Sequence, residues 1–529
     1  MTRSPYSTAT PLSVTRVKPN ERLLSFLALL WRYVPALVLG GLLICCAFVI
    51  GTRVAFASPG YDDSYVGSVA RNFAFGRGYA IIYGESSQVF NPEITVGPAM
   101  LLPAALLYKL FGSEYWVGSM VVPAIALPLL GVILWLLATR HRTSAATLVV
   151  IVAFLLMFSA DRPPYQSLVM WSRLLGEVPA VLFVVLAAVL ASSARTDRRL
   201  HLTAGLCLSL AFYTKVAALL ALPGFVFLYG GDLRKSKRLQ STVAFIGGGL
   251  VAVVAFEMFR LAHLGSVGAY VENSERTIEF YRNWTTPDVH PITIWGTARA
   301  LNIELGLIPL LVWMGVALLA SLRAPLSGAA YRGRFKLSMI LLLAGATHLL
   351  WWWQLNDSGW IKHLVPGVLY LCVGLPLLGT LSRLSLVRYS GLVVVLLLFV
   401  PQVDLLSEFE PMFGREARLS ALNDTASFLR PLDTEMVSLW GCGWWANRDL
   451  NLAGDLRFYD CSDLGSVERH LEAGEKLLLV RSENFNWENN PRVSALAKDC
   501  DSRVLFWEEP FIVCDATPWL QGFTSGRSP

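Results

Sequence analysis

Charge is what this chain has least of. Only 16 % of its 529 residues are Asp, Glu, Lys or Arg, against roughly a quarter in soluble domains. That excludes a free-standing soluble enzyme. The net charge of +6 is spread thinly over short loops, so no basic patch points to nucleic acid. No Gly-rich phosphate loop is present, and the tail shows neither a nucleophile motif nor metal-ligand spacing. No internal repeat is found. A cleavable leader is not expected, because the first apolar run begins near Tyr33, after a basic polar arm, and is long enough to span. Cysteines are few and fall into two groups. Cys45, Cys46, Cys207 and Cys372 lie in apolar segments and act as small hydrophobes. Cys442, Cys461, Cys500 and Cys514 lie in the polar tail, where proximity suggests Cys442–Cys461 and Cys500–Cys514 bridges. Four thiols in an ordinary α/β core are the alternative.

What the chain has in plenty is long apolar segments, with 54 % hydrophobic residues. Spans of ~20 apolar residues are expected near 33–56, 116–138, 145–160, 175–193, 201–214, 216–230, 240–262, 301–321, 336–355, 363–381 and 389–406. The fold class is therefore a polytopic α-helical membrane protein of about eleven spans. Basic residues fix its orientation. Arg16, Lys18, Arg22 and Arg32 in the arm share a side with Arg140 and Arg142, Arg195 to Arg199, Arg234 to Arg238, Arg332 to Lys336, and Arg383 and Arg388. This places the N-terminus in the cytoplasm of a cell (inner) membrane. The organisation is a cytoplasmic arm (1–32), a transmembrane domain (33–406) and a periplasmic tail (407–529). The loops 57–115 and 263–300 share the tail's side. The first is a platform of interfacial helices, with an amphipathic stretch from Ser64 to Phe75 and a second, too short to span, from Met100 to Phe111. The tail alternates strand-like runs (Met436–Trp440, Lys476–Val480, Arg503–Trp507) with helical stretches (Glu416–Leu429, Ser466–Ala473), the pattern of a small α/β domain.

Asp62 and Asp63 follow the first span directly. A general base needs a carboxylate near a hydroxyl and partly shielded from water. Adjacent acids are also common in exposed turns. Glu93 enters an apolar stretch at the interface, where a carboxylate is expensive, or else it faces a helix dipole. Lys215 sits between two apolar runs on the same side as the acids. It could meet a phosphate anion or snorkel to the surface. Lys362 and His363, just before a span, are similar. Arg173 and Glu177 open a span and read first as an i,i+4 ion pair. Trp351, Trp352, Trp353 and Trp360 read as an interfacial belt. Arg276, Glu279 and Arg282 read as a solvated loop.

Taken together, Asp62-Asp63-x-Tyr65, Ala70-Arg-Asn72, Gly76-x-Gly78, Asn91-Pro92, Gly176-Glu-Val-Pro179 and Tyr213-Thr-Lys215 resemble the GT-C glycosyltransferases. These include protein O-mannosyltransferases, lipid A aminoarabinose transferases and actinobacterial arabinofuranosyltransferases. The resemblance covers roughly 57–380. The Asp-Asp pair departs from the Asp-Glu of many members and leaves the donor sugar open. The resemblance implies a polyprenyl-phosphate sugar donor, a glycan, lipid or protein acceptor, and inversion at the anomeric carbon. Asp62 is the implied base, and Asp63 or Glu93 orients a substrate. Tyr65, Arg173 and Glu177 join as substrate contacts, while Lys215, Lys362 and His363 hold the lipid phosphate. No cofactor is required, and a divalent cation beside Asp62 and Asp63 is compatible. A transporter or flippase of a lipid-linked solute, and a polymerase or ligase using a diphosphate-linked donor, are the alternatives.

Overall fold

The computed structural model describes residues 36–44, 47–48, 50–51, 54, 61–83, 86–92, 94–112, 115–157, 171, 173–193, 197–230, 236–283, 315, 319, 329–355, 363–381, 410–432, 437–442, 456–460, 466–482, 500, 502–508 and 511–518. The expected arm, the span 389–406, the span 301–321 apart from 315 and 319, Glu93, Lys362 and Cys461 lie outside these residues. So do the side chains of Asp62, Asp63 and Cys442.

The first loop opens with α1 (Tyr61–Ala74). Its inward face carries Tyr65, Val66, Val69 and Ala70, all buried, which is the expected amphipathic spacing. The helix begins three residues earlier than expected and takes Asp62 and Asp63 into its first turn. A β-hairpin follows, which the sequence reading did not anticipate: β1 (Ala80–Tyr83) pairs antiparallel with β2 (Ser86–Val89). Then comes α2 (Pro98–Phe111), with Pro98 in its first turn and Pro103 in its interior. Proline suits a first turn, where its missing N–H is no loss.

The bundle contains α3 (Tyr115–Thr139), α4 (Ala145–Met157), α5 (Glu177–Ser193), α6 (Arg198–Thr214), α7 (Leu222–Tyr229), α8 (Ser236–Leu264), α10 (Ala329–Leu355) and α11 (Val365–Gly379). The helix α9 (Val267–Asn283) is polar and amphipathic. It occupies part of the loop read as 263–300. Among the described residues, three stretches are long and apolar enough to cross a membrane: Trp116–Thr139, Arg238–Leu264 and Tyr331–Trp352. The segments Glu177–Ser193 and Val365–Gly379 are apolar but shorter.

Burial sorts these helices. Nearly every residue of α5 and α11 is buried, as expected of helices apolar all round. By contrast α8 exposes Val243, Ile246, Leu250, Val254 and Met258, an outer face without partners among the described residues. Its other face meets α6 through a glycine seam. A Cβ on Gly205 would overlap the Phe245 carbonyl oxygen, and one on Gly248 would overlap that of Leu202. Small residues let two apolar helices approach backbone to backbone where dispersion drives association. Trp352 is buried, so this member of the expected interfacial belt belongs to the interior instead.

The described tail is a five-stranded mixed sheet ordered β4-β3-β5-β7-β6. Its strands are β3 (Val437–Cys442), β4 (Phe458–Asp460), β5 (Lys476–Ser482), β6 (Val504–Glu508) and β7 (Phe511–Asp515). β3 runs parallel to β4 and β5, whereas β7 is antiparallel to β5 and β6. The helices α12 (Glu410–Leu429) and α13 (Val467–Glu472) accompany it. Ala421, Leu422, Ala426 and Leu429 of α12 pack on Leu439, Leu478 and Val513. A disulfide joins Cys500 to Cys514.

Candidate functional site

Three segments distant in sequence meet where α6 ends. Lys215 leaves the helix with φ −152° and ψ 124°, an extended residue between α6 and a 3-10 turn at Val216–Ala221. Its backbone forms an isolated antiparallel bridge with Val96 of the first loop. Beside it, the Gly97 amide donates to the Thr214 carbonyl at 3.0 Å. This approach requires glycine, since a Cβ at position 97 would overlap the Tyr213 carbonyl oxygen. Gly176, at φ +78°, sits against Thr214 from the other side and hands the chain into α5. Positive φ is cheap for glycine and costly for other residues.

The side chains at this junction are charged and buried. Lys215 Nζ lies 2.9 Å from Glu177 Oε1, with side-chain exposures of 11 % and 2 %. The ammonium also donates to Thr95 Oγ1 and to the Leu175 carbonyl, each at 3.4 Å. The contact with Glu177 is an ion pair rather than an aligned hydrogen bond, and neither carboxylate oxygen meets a hydrogen-bond donor among the described residues. Glu177 is thus given to Lys215, not to Arg173 four residues back, because the chain bends at Arg173 and α5 starts only at Glu177. Tyr65 is buried in α1, and Arg173 is half-buried. His363 uses its carbonyl to accept from the buried His348 at 2.6 Å.

A cavity of about 240 Å³ opens against the same junction. Thr95, Val96, Gly97, Tyr213 and Val216 form one wall, and Tyr79 and Phe90 form an aromatic side. Their rings stack at 4.4 Å. Phe259 and His263 of α8 and Phe73 of α1 surround that pair with edge and tilted contacts. Glu257 and Arg260 enter from α8, and Asn273 and Tyr281 from α9.

Polar groups cross-link this wall. Glu257 accepts from the Tyr213 hydroxyl at 2.7 Å and from the Tyr270 hydroxyl at 2.8 Å. Arg260 lies 3.6 Å from Glu257 and donates twice to Asn273 Oδ1, at 3.0 and 2.6 Å. Asn273 in turn donates to the Phe90 carbonyl at 2.9 Å. The Glu257 hydrogen bond, with burial adding to it, raises the Tyr270 phenol above the ordinary tyrosine range. Burial also raises the Tyr281 phenol, while the nearby Lys215 ammonium pulls the other way. Phe90 itself has φ +50°, an uncommon conformation for a residue with a side chain.

Sequence reasoning missed Glu257, Arg260, Tyr270 and Asn273. A signal was present: two charges three residues apart at the far end of an apolar helix, where ionisable groups are expensive. Arg276 was read correctly as a surface group, and it pairs with Glu272 at 2.5 Å with both side chains well exposed. The positions Asp62 and Asp63 stand about 100° apart around the α1 axis, as consecutive helix positions do. Among the described residues no three His, Cys, Asp or Glu side chains converge.

No protein-family model and no curated relative matches the chain. In structure it is similar to ArnT from Cupriavidus metallidurans bound to undecaprenyl phosphate, with 14 % identity and a TM-score of 0.43 over 90 % of this chain and 98 % of that one. It is also similar to the oligosaccharyltransferase AglB from Archaeoglobus fulgidus in complex with an inhibitory peptide and a dolichol-phosphate. There the identity is 12 % and the TM-score 0.46, over 86 % of this chain and 70 % of that one. At TM-scores this low, likeness carries neither mechanism nor substrate across.

Proposed function

We propose that this chain is an inverting membrane glycosyltransferase of about eleven spans. It moves a sugar from a polyprenyl-phosphate donor to a hydroxyl on the non-cytoplasmic face. The observation that carries this reading is the junction at Lys215. A buried cation, a buried carboxylate and the first loop converge there beside a cavity of about 240 Å³. A lipid phosphate is already a good leaving group, so the reaction needs a base for the acceptor hydroxyl and positive charge for the departing phosphate. In this reading Asp62 takes the proton, and Asp63 or Glu93 orients a substrate. Lys215 stabilises the phosphate, with Lys362 and His363 as further phosphate contacts. Tyr65, Arg173 and Glu177 are further substrate contacts. Attack in line with the leaving oxygen inverts the anomeric centre. Atoms balance: the hydroxyl oxygen bonds to the anomeric carbon, the carbon–phosphate oxygen bond breaks, and the proton passes to Asp62.

The test compares a deletion strain complemented with the native gene or with Asp62→Asn. Mass spectrometry of surface glycans and lipid-linked sugars is expected to show a missing sugar and an accumulated polyprenyl precursor in the variant. Full transfer by a folded Asp62→Asn protein, or cytosolic labelling of a cysteine placed at position 62, overturns the reading.

A transporter of an anionic, lipid-linked solute is the second reading. It is favoured by one observation, the charged residue at a helix break, a feature of solute sites in transporters. Flux in proteoliposomes without a covalent product would establish it.

A further inference from the structure

We propose that the cavity between α8, α9 and the first loop is a binding site for one neutral sugar ring, with Glu257 and the Tyr79–Phe90 pair as its recognition elements. This rests on the transferase reading above and assigns the cavity its substrate class.

Size limits the occupant first. At about 240 Å³ the space falls below the roughly 300–1,000 Å³ of drug-sized sites, so it suits a single ring rather than an oligosaccharide. Charge limits it next. Among the described residues the one cation in the wall, Arg260, is committed to Glu257 and twice to Asn273. None of the described lining residues leaves a cation over for a phosphate, and a second anion would face Glu257. A neutral ligand rich in hydroxyl donors matches a carboxylate that, among the described residues, accepts one tyrosine hydroxyl on each oxygen beside the Arg260 guanidinium. Charged acceptors make the stronger hydrogen bonds.

The aromatic side completes the pattern. Half-buried Phe90 stacks on the buried Tyr79 ring, and Phe90 gives the wall an apolar patch against which the C–H face of a pyranose or furanose can pack. Phe90 holds an uncommon φ of +50°, and its carbonyl and amide are both engaged, by Asn273 and Tyr79. Strain maintained by surrounding hydrogen bonds concentrates at ligand sites. Finally, Glu257 lies in the last turns of a stretch apolar enough to span, Arg238–Leu264. An ionisable residue there marks function by default. The Lys215–Glu177 pair borders the same wall, so a ring in the cavity would lie next to the proposed phosphate position.

The experiment uses the full chain in nanodiscs and saturation-transfer NMR with methyl glycosides of glucose, mannose and arabinofuranose as probes. Irradiating protein aromatics is expected to give ligand signals for at least one glycoside. Those signals should fall at least tenfold in Glu257→Gln, and in Tyr79→Leu, which removes part of the wall and leaves every charge. Both variants are first checked by size exclusion and circular dichroism. Lys215→Met/Glu177→Gln should keep the glycoside signal while losing undecaprenyl-phosphate binding. Displacement by lipid extract from the deletion strain assigns the ring to the donor, and persistence of the signal assigns it to the acceptor. No glycoside signal, or one unchanged in both folded variants, overturns the proposal. A deletion strain with an unaltered glycan profile but intact glycoside binding sinks the transferase reading alone.

Discussion

The Lys215–Glu177 pair makes a quantitative prediction. Its exposures of 11 % and 2 % place both charges in a low-dielectric setting, where each alone is costly. Lys215→Met leaves Glu177 buried, with no hydrogen-bond donor among the described residues. Glu177→Gln leaves an ammonium with, among the described residues, two long contacts, to Thr95 and Leu175. Removing one partner of a buried pair costs about 3–5 kcal/mol, whereas removing both is often neutral or better. Each single variant should therefore melt well below the native protein in nanodiscs. Lys215→Met/Glu177→Gln should recover most of that loss, giving a coupling of about 3 kcal/mol in a double-mutant cycle. Transfer should not recover with stability, because the double variant lacks the proposed phosphate cation. Additive losses with no coupling would refute the claim that the two charges depend on each other. Recovered transfer would remove Lys215 from the chemistry.

Gly97→Ala should be far worse than an alanine usually is. Its Cβ overlaps backbone at Tyr213, so a loss of about 3 kcal/mol, the upper end of overpacking costs, should appear as a lowered melting point together with lost transfer. Gly205→Leu forces α6 from α8 at the Phe245 carbonyl; a loss of about 1–3 kcal/mol or more, read in the same melt, is expected, while Gly247→Ala, with no atom near its Cβ position, should be neutral. In the tail, burial alone would raise the Glu475 carboxyl, but the Ser438 hydroxyl and His470 outweigh it and hold it below its usual range. A depressed folded value gives stability that is present above the unfolded pKa, near 4.5, and lost as pH falls through the folded one. Hydrogen exchange in β3 and β5 should accelerate below about pH 4.5, and Glu475→Gln should flatten that acid limb.

Much of this arrangement could be read from residue order. The break at Lys215 was visible because a charged residue interrupts two apolar runs, and α6 and the 3-10 turn flank it as expected. The start of α5 was placed within two residues of Glu177. In the tail, β3, β5 and β6 lie where the short strand-like apolar runs put them. β4 and β7 escaped because they are short or sit among turn residues. The hairpin β1–β2 escaped for a different reason. Its two strands have only four residues each, and its stability comes from Tyr79 and Phe90 packing on α8 rather than from its own pattern. The cavity wall was hidden in the same way. Glu257, Arg260 and Asn273 are unremarkable singly, and only the turn between α8 and α9 brings them onto one surface. Pairing of Glu177 could not be told from spacing, since Arg173 and Lys215 are both plausible by charge and only packing chooses between them.

The Cys500–Cys514 bond has a consequence for biogenesis. It fastens the turn ahead of β6 to the penultimate residue of β7, closing a ring with a sequence separation of 14. A ring of that size constrains the unfolded chain by about 3 kcal/mol in the chain-entropy picture. If the tail lies on the non-cytoplasmic side as proposed, the rim of the sheet is locked only after it reaches a thiol-oxidising compartment. Protein made in a reducing lysate should insert its helices normally yet carry a frayed outer edge, and adding oxidised glutathione after synthesis should close it.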